Sequence, residues 1–156
     1  METIFEKDVA NKKVNVTREF AASLEKTWQA WTDHKILDQW WGPKPCKAET
    51  KTMDFKEGGH WLYSMILPTG ERHWSRTDYT KIVAVKYYTA QTSFCDENGI
   101  TKSEYSEWKV EFSTTAAGTK VEVHITYASE KTMQMMIEMG FQQGFTMAMD
   151  NLDGLL

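Results

Sequence analysis

No stretch of this sequence approaches the roughly 20 consecutive apolar residues that a helix needs to cross a bilayer. Its opening, METIFEKDVANKK, is too charged and mixed to read as a secretory signal. The expectation is a soluble, cytoplasmic protein with no membrane span. Cysteine is scarce: Cys46 and Cys95 stand in different segments and form no C-x-x-C pair, which points to buried reduced thiols rather than a disulfide or a metal site. The four histidines include no pair at metal-helix spacing, and nucleophile elbows and glycine-rich phosphate loops are missing. Neither a metal nor a cofactor is expected. Basic charge is neither abundant nor clustered, since 18 Lys and Arg oppose 22 Asp and Glu for a formal charge of -4. That excludes a general attraction to phosphate backbones, so nucleic acid is not an expected partner.

Large apolar side chains are what the sequence does have, with seven tryptophans and nine methionines among 156 residues. A chain of this size folds as one domain, here 1-156, burying about 70% of its extended surface. Residues 1-12 read as a loose arm or an extra edge contact. From Lys13 to Phe20, Val14, Val16 and Arg18 alternate with Asn15, Thr17 and Glu19, the period of a first, half-buried strand. Ser23 then caps a short helix that places Leu24, Trp28 and Trp31 on one face, and Asp33 caps a second with Leu37, Trp40 and Trp41 on one face. Gly42-Pro43 ends it. Between Cys46 and Tyr127 the period is two, in the six segments CKAETKTMDF, HWLYSMIL, RHWSRTDYTKIV, VKYYTAQTSF, SEWKVEFST and TKVEVHITY, with turn residues at KEGGH, PTGE, DENG and TAAG among them, which gives six more antiparallel strands.

The last segment, SEKTMQMMIEMGFQQGFTMAMDNLDGLL, holds no proline and predicts one helix of about 26 residues, roughly 39 Å long. At 100° per residue, Met133, Met136, Ile137, Gly140, Phe141, Gly144, Phe145, Met147, Ala148, Leu152 and Leu155 share one wide arc. Gln142, Gln143, Thr146, Asp150 and Asp153 occupy the other. So broad a stripe calls for a curved sheet around it. The expected fold is α+β: a curved antiparallel sheet of about seven strands wrapped around a long C-terminal helix, with two short helices after strand 1.

This order resembles the helix-grip fold of the START-like (SRPBCC) superfamily, and in particular the homologues of the activator of the heat-shock protein 90 ATPase. The resemblance is carried by VTREFAASLEKTWQAWTD (Val16 to Asp33), LDQWWGP (Leu37 to Pro43), KEGGHWLYSM (Lys56 to Met65), PTGE (Pro68 to Glu71) and GFTMAMDNLDGLL (Gly144 to Leu156). The last is similar to the family's Gly-Trp-x-x-x-Leu-Asp-x-Leu ending, with Phe145 for the tryptophan and Met149 for the leucine. The family implies a cavity between sheet and helix.

Three functions then stand side by side. The first is non-enzymatic binding of a small hydrophobic molecule, contacted by Trp40 and Trp41 of the second short helix, by Trp61, Tyr63, Trp74 and Trp108 of the strands, and by Met136, Ile137, Glu138, Gly140, Phe141 and Gly144 of the terminal helix. Methionines re-pack around guests of different shape, and a glycine in a helix interior costs about 1 kcal/mol against alanine, so Gly140 and Gly144 need an offset. Either close packing against Trp61 or Trp108, or room for a ligand, supplies one. For Trp40 and Trp41, core packing competes with ligand contact; for Glu138, solvation competes with orienting a ligand's polar group. The second is a co-chaperone-like role with a chaperone partner, implied by the family's namesake alone. The third is a cyclase- or dehydratase-like enzyme, for which Glu71 and His73, at i and i+2 on one strand face, are the candidate acid-base pair.

Overall fold

The computed structural model describes residues 2–156. In chain order it contains β1 (Ile4–Asp8), β2 (Lys13–Phe20), α1 (Leu24–Thr32), α2 (His34–Trp40), β3 (Lys47–Met53), β4 (His60–Ile66), β5 (Arg72–Val83), β6 (Tyr87–Cys95), β7 (Ser106–Thr114), β8 (Thr119–Thr126), α3 (Glu130–Glu138) and α4 (Phe141–Leu155). The strands make one open sheet of eight, ordered β1-β2-β8-β7-β6-β5-β4-β3, antiparallel throughout. Register shifts at Thr50/Thr52 and Tyr79/Lys81 bend the strands there, and the curved sheet with a helical C-terminus is consistent with a helix grip.

Three expectations change. The sheet has eight strands rather than about seven, because Ile4–Asp8, in the segment expected as a loose arm or an edge contact, pairs with β2 and seats Phe5 against Phe141. Met1 lies outside the described residues. Lys13–Phe20 is consequently the second strand, and the two short helices follow it.

The terminal helix is not one rod. It breaks at Gly140, whose backbone is left-handed (φ 86°, ψ 30°), a conformation that costs a side-chain-bearing residue about 1–2 kcal/mol. Gly140 closes α3 through its N–H, which donates to the Ile137 carbonyl, and starts α4 through its own carbonyl, which accepts from Gly144. The break resets the helical phase. Phe145, Ala148, Met149 and Leu152 of α4 face the core at i, i+3, i+4 and i+7, while Met147 and Leu155, expected on the apolar arc, are exposed.

The caps at Ser23 and Asp33 form as the sequence predicts, with side-chain oxygens accepting from Lys26 and Lys35 N–H groups. The core fills between the inner sheet face and the four helices with Phe20, Trp31, Leu37 and Trp40 at its closed end. Two polar clamps fix α4 over it. Arg18, on the inner face of β2 and only 4% exposed, donates to Asp150 and Asp153, and the Asn151 amide donates to the Gly42 carbonyl at 3.1 Å. Asp150 and Asp153, placed by periodicity on the arc opposite the apolar one, are thus the anchors of the helix end. Among the described residues no helix is long and apolar enough to cross a membrane.

Candidate functional site

Between the inner faces of β4 to β7 and the α3–α4 bend lies a cavity of about 540 Å³. Small residues leave it open. Ala90 sits on its floor between Tyr79 of β5 and Trp108 of β7 in the cross-strand register, and on the helix side a Cβ added to Gly144 would meet only the Pro43 ring, at 3.7 Å. Bulky residues at either position would occupy the space directly.

Tryptophans build the wall. Trp41, at the C-cap of α2, lies 5.4 Å from Trp61, 5.8 Å from Phe145 and 6.2 Å from Trp108, ring centre to ring centre. Its indole N–H donates to the Tyr63 hydroxyl at 2.9 Å. Trp61 stacks on Tyr63 at 4.1 Å and donates to the Thr50 hydroxyl, so the indole N–H groups of both tryptophans are satisfied and apolar ring surface faces the hollow. Phe141 and Phe145 stack at 5.3 Å on the opposite wall. Burial pushes the Tyr63, Tyr79 and Tyr88 hydroxyls above the usual phenol range, partly offset at Tyr63 by the Trp41 hydrogen bond, so all three remain protonated donors.

The structure divides the candidate residues. Trp41, Trp61, Tyr63, Trp108, Met136, Gly140, Phe141 and Gly144 border the cavity. Trp40 does not: it is fully buried, packs on Trp31 at 4.8 Å and donates to the Ala30 carbonyl, closing the core behind the wall. Trp74 points to the outer face of the sheet, where the Lys51 ammonium lies 5.7 Å from its ring centre. Ile137 packs on the core away from the hollow. Glu138 accepts a hydrogen bond from Gln134 on the exposed side of α3. Of the acid-base candidates, His73 borders the cavity mouth and Glu71 does not; they lie 3.6 Å apart with side chains 56% and 65% exposed. His60 is at the far end of the same strand pair, opposite Asp78, while His73 faces Met65. Both cysteines are free, but Cys46 is half-buried at the cavity and only Cys95 is buried.

Several cavity residues escape a reading by pattern alone. Thr77, Thr92 and Ser106 form one cross-strand row on its sheet side, and Tyr79 and Tyr88 border it beside them. Alternation places each on the inner face, yet as small polar or aromatic strand residues they carry no spacing signal that marks a site. Among the described residues no group of three or more His, Cys, Asp and Glu is arranged to hold a metal.

A curved antiparallel sheet with a broken helical segment laid over an aromatic hollow defines a START-like architecture. Within it, the chain belongs to the family described as activator of Hsp90 ATPase homolog 1-like protein, whose model matches residues 21–156. The crystal structure of protein Ms6760 from Mycobacterium smegmatis is similar at 26% identity and a TM-score of 0.90, over 99% of this chain and 97% of that one. A protein from Arthrobacter aurescens solved by NMR is 29% identical with a TM-score of 0.90, over 96% and 88%. CalU16 from Micromonospora echinospora shares the fold at 20% identity and a TM-score of 0.62, over 97% and 82%. No curated protein sequence matches this chain.

Proposed function

We propose that this protein binds a small hydrophobic molecule, without transforming it, in the hollow between the sheet and the C-terminal helices. The observation that carries the reading is the cavity itself. Its volume of about 540 Å³ falls within the roughly 300–1,000 Å³ of natural ligand sites. Its wall combines apolar rings, among them Trp41 and Trp61 with their N–H groups already paired, and methionines of α3 that adapt to a guest. Trp41, Trp61, Tyr63, Trp108, Met136, Gly140, Phe141 and Gly144 are the contacts we assign. Native mass spectrometry of freshly purified protein, followed by titration of the emptied protein with Nile red, tests it. A co-purified mass or saturable 1:1 dye uptake is the expected result; absence of both overturns the proposal.

A co-chaperone role is supported only by the description of the family. Addition of the protein to a purified heat-shock protein 90 and measurement of ATP turnover decides it. The enzymatic reading has less support, because His73 is solvated at the mouth, its partner Glu71 does not border the cavity, and Glu138 lies outside the hollow.

A further inference from the structure

We propose that the sheet side of the cavity is a recognition surface for oxygen, so that its ligand is an uncharged, oxygen-bearing hydrophobe. The inference rests on the binding role argued above and names the class of molecule bound. Thr77, Thr92 and Ser106 face one another across β5, β6 and β7, and all three border the hollow. One step along the same strands stands the row of Tyr79, Ala90 and Trp108, about 7 Å away. Tyr88 borders the hollow next to it, with ring centres of Tyr79 and Tyr88 5.7 Å apart.

None of these five hydroxyls has a hydrogen-bond partner in the protein, although neither tyrosine is more than 7% exposed and Thr77 and Ser106 are each 8% exposed. Among the described residues, the buried polar side-chain atoms that have neither a partner nor access to space are Arg18 Nε, Trp31 Nε1 and Ser93 Oγ. The five hydroxyls are not among them, so none is sealed inside protein, and all five residues border the hollow. A lone unpaired hydroxyl is an accident of packing. Five on the sheet wall, opposite Trp41 at the end of α2 and Phe145 of α4, make a two-faced site: an apolar body lies against Trp41 and Phe145 while an oxygen on its edge accepts from the sheet.

Charge is excluded by the same geometry. The charged groups that border the cavity are spoken for at its rim: Arg76 is paired with Asp78 at 2.9 Å and with the Gly99 carbonyl, and Glu104 accepts from Thr132. His73 is held near Glu71 in solvent. An ion passing inward would give up hydration with no counter-charge to meet it.

Three planar probes of one shape test this through quenching of tryptophan fluorescence: fluorene, 9-fluorenone and 9-fluorenone-2-carboxylate. The ketone is expected to bind about fivefold tighter than the hydrocarbon, although it is the less hydrophobic of the two, and the carboxylate at least about tenfold weaker than the ketone. In the variant Thr77→Val, Tyr79→Phe, Tyr88→Phe, Thr92→Val, Ser106→Ala, which removes all five hydroxyls, the ketone is expected to lose its advantage over fluorene. Equal binding of fluorene and fluorenone by the unaltered protein overturns this inference and leaves the binding proposal standing. A ketone preference that survives removal of all five hydroxyls overturns it as well. Failure of all three probes to bind overturns both readings.

Discussion

Replacing Gly144 by leucine sets the hollow against solid packing, because the two cases give opposite signs. The first added carbon meets only the Pro43 ring at 3.7 Å, an ordinary contact, so the other three extend into the cavity. Two terms then favour the variant. Leucine is a better helix former than glycine by roughly 0.8 kcal/mol. Burying added carbons contributes up to about 0.8 kcal/mol for each methylene removed from water, or roughly 3 kcal/mol if the side chain is fully enclosed. Stability should therefore rise by about 1 to 4 kcal/mol, and even the lower figure lifts Tm by about 2–4 °C in a chain of this size. Thermal unfolding followed by far-ultraviolet circular dichroism measures the change, and Nile red titration of the same sample measures uptake, which should weaken at least about tenfold as the side chain takes the space. A Tm several degrees lower would mean that no room exists at Gly144. A stable variant that still takes up the dye would place the dye elsewhere.

Gly140→Ala should cost about 1–2 kcal/mol, read as a lower urea midpoint with an unchanged slope, because its left-handed backbone admits a Cβ only under strain; an unchanged midpoint would refute the break as a built feature. The double variant Asp150→Asn, Asp153→Asn should lose about 3 kcal/mol, since it strips both counter-charges from a guanidinium that is 4% exposed. Arg18→Leu should lose less, because the carboxylates it releases are already 61% and 32% exposed; the reverse order in denaturant titrations would refute the argument. His73→Ala should leave Nile red affinity unchanged, because the side chain sits in solvent at the mouth; a marked loss would make it a ligand contact.

Most of the sheet could be read from alternation, and the physical reason is that one face is buried. Ser106–Thr114 and Arg72–Val83 appear with the bounds that their period and turns predict, because a register slip of one residue would turn Val110 and Phe112, or Tyr79, into water. The edge strand β1 could be read only as an arm or an edge contact, because its residues are largely exposed and an exposed edge has no period to show. The tryptophan pair shows a finer limit. Helical periodicity put Trp40 and Trp41 together on one inner face, but adjacent residues point about 100° apart. Trp40 took the core, and Trp41, at the helix end, took the cavity wall. The hydroxyl row depends on which residue of β6 stands opposite which of β5 and β7, and that register is set by a bulge at Tyr79/Lys81 and by loop lengths, not by hydrophobic pattern.

The helix break is the deepest case, because the two glycines look interchangeable in sequence and behave oppositely. Each lies on the apolar arc, one turn apart, and either is compatible with a continuous helix. Gly140 is followed by Phe141, whose ring reaches Phe5 of the edge strand, Trp108 of the sheet and Phe145 of α4. A straight helix keeps one phase throughout; the left-handed residue lets α4 start anew, with Phe141 on the sheet and Phe145, Ala148, Met149 and Leu152 inward. The glycine that remains helical, Gly144, is then the position where α4 passes the hollow with nothing but Pro43 beside it. The sheet's curvature and the empty space beneath the bend thus decide which glycine turns and which stays, and that information resides in residues more than 30 positions away along the chain.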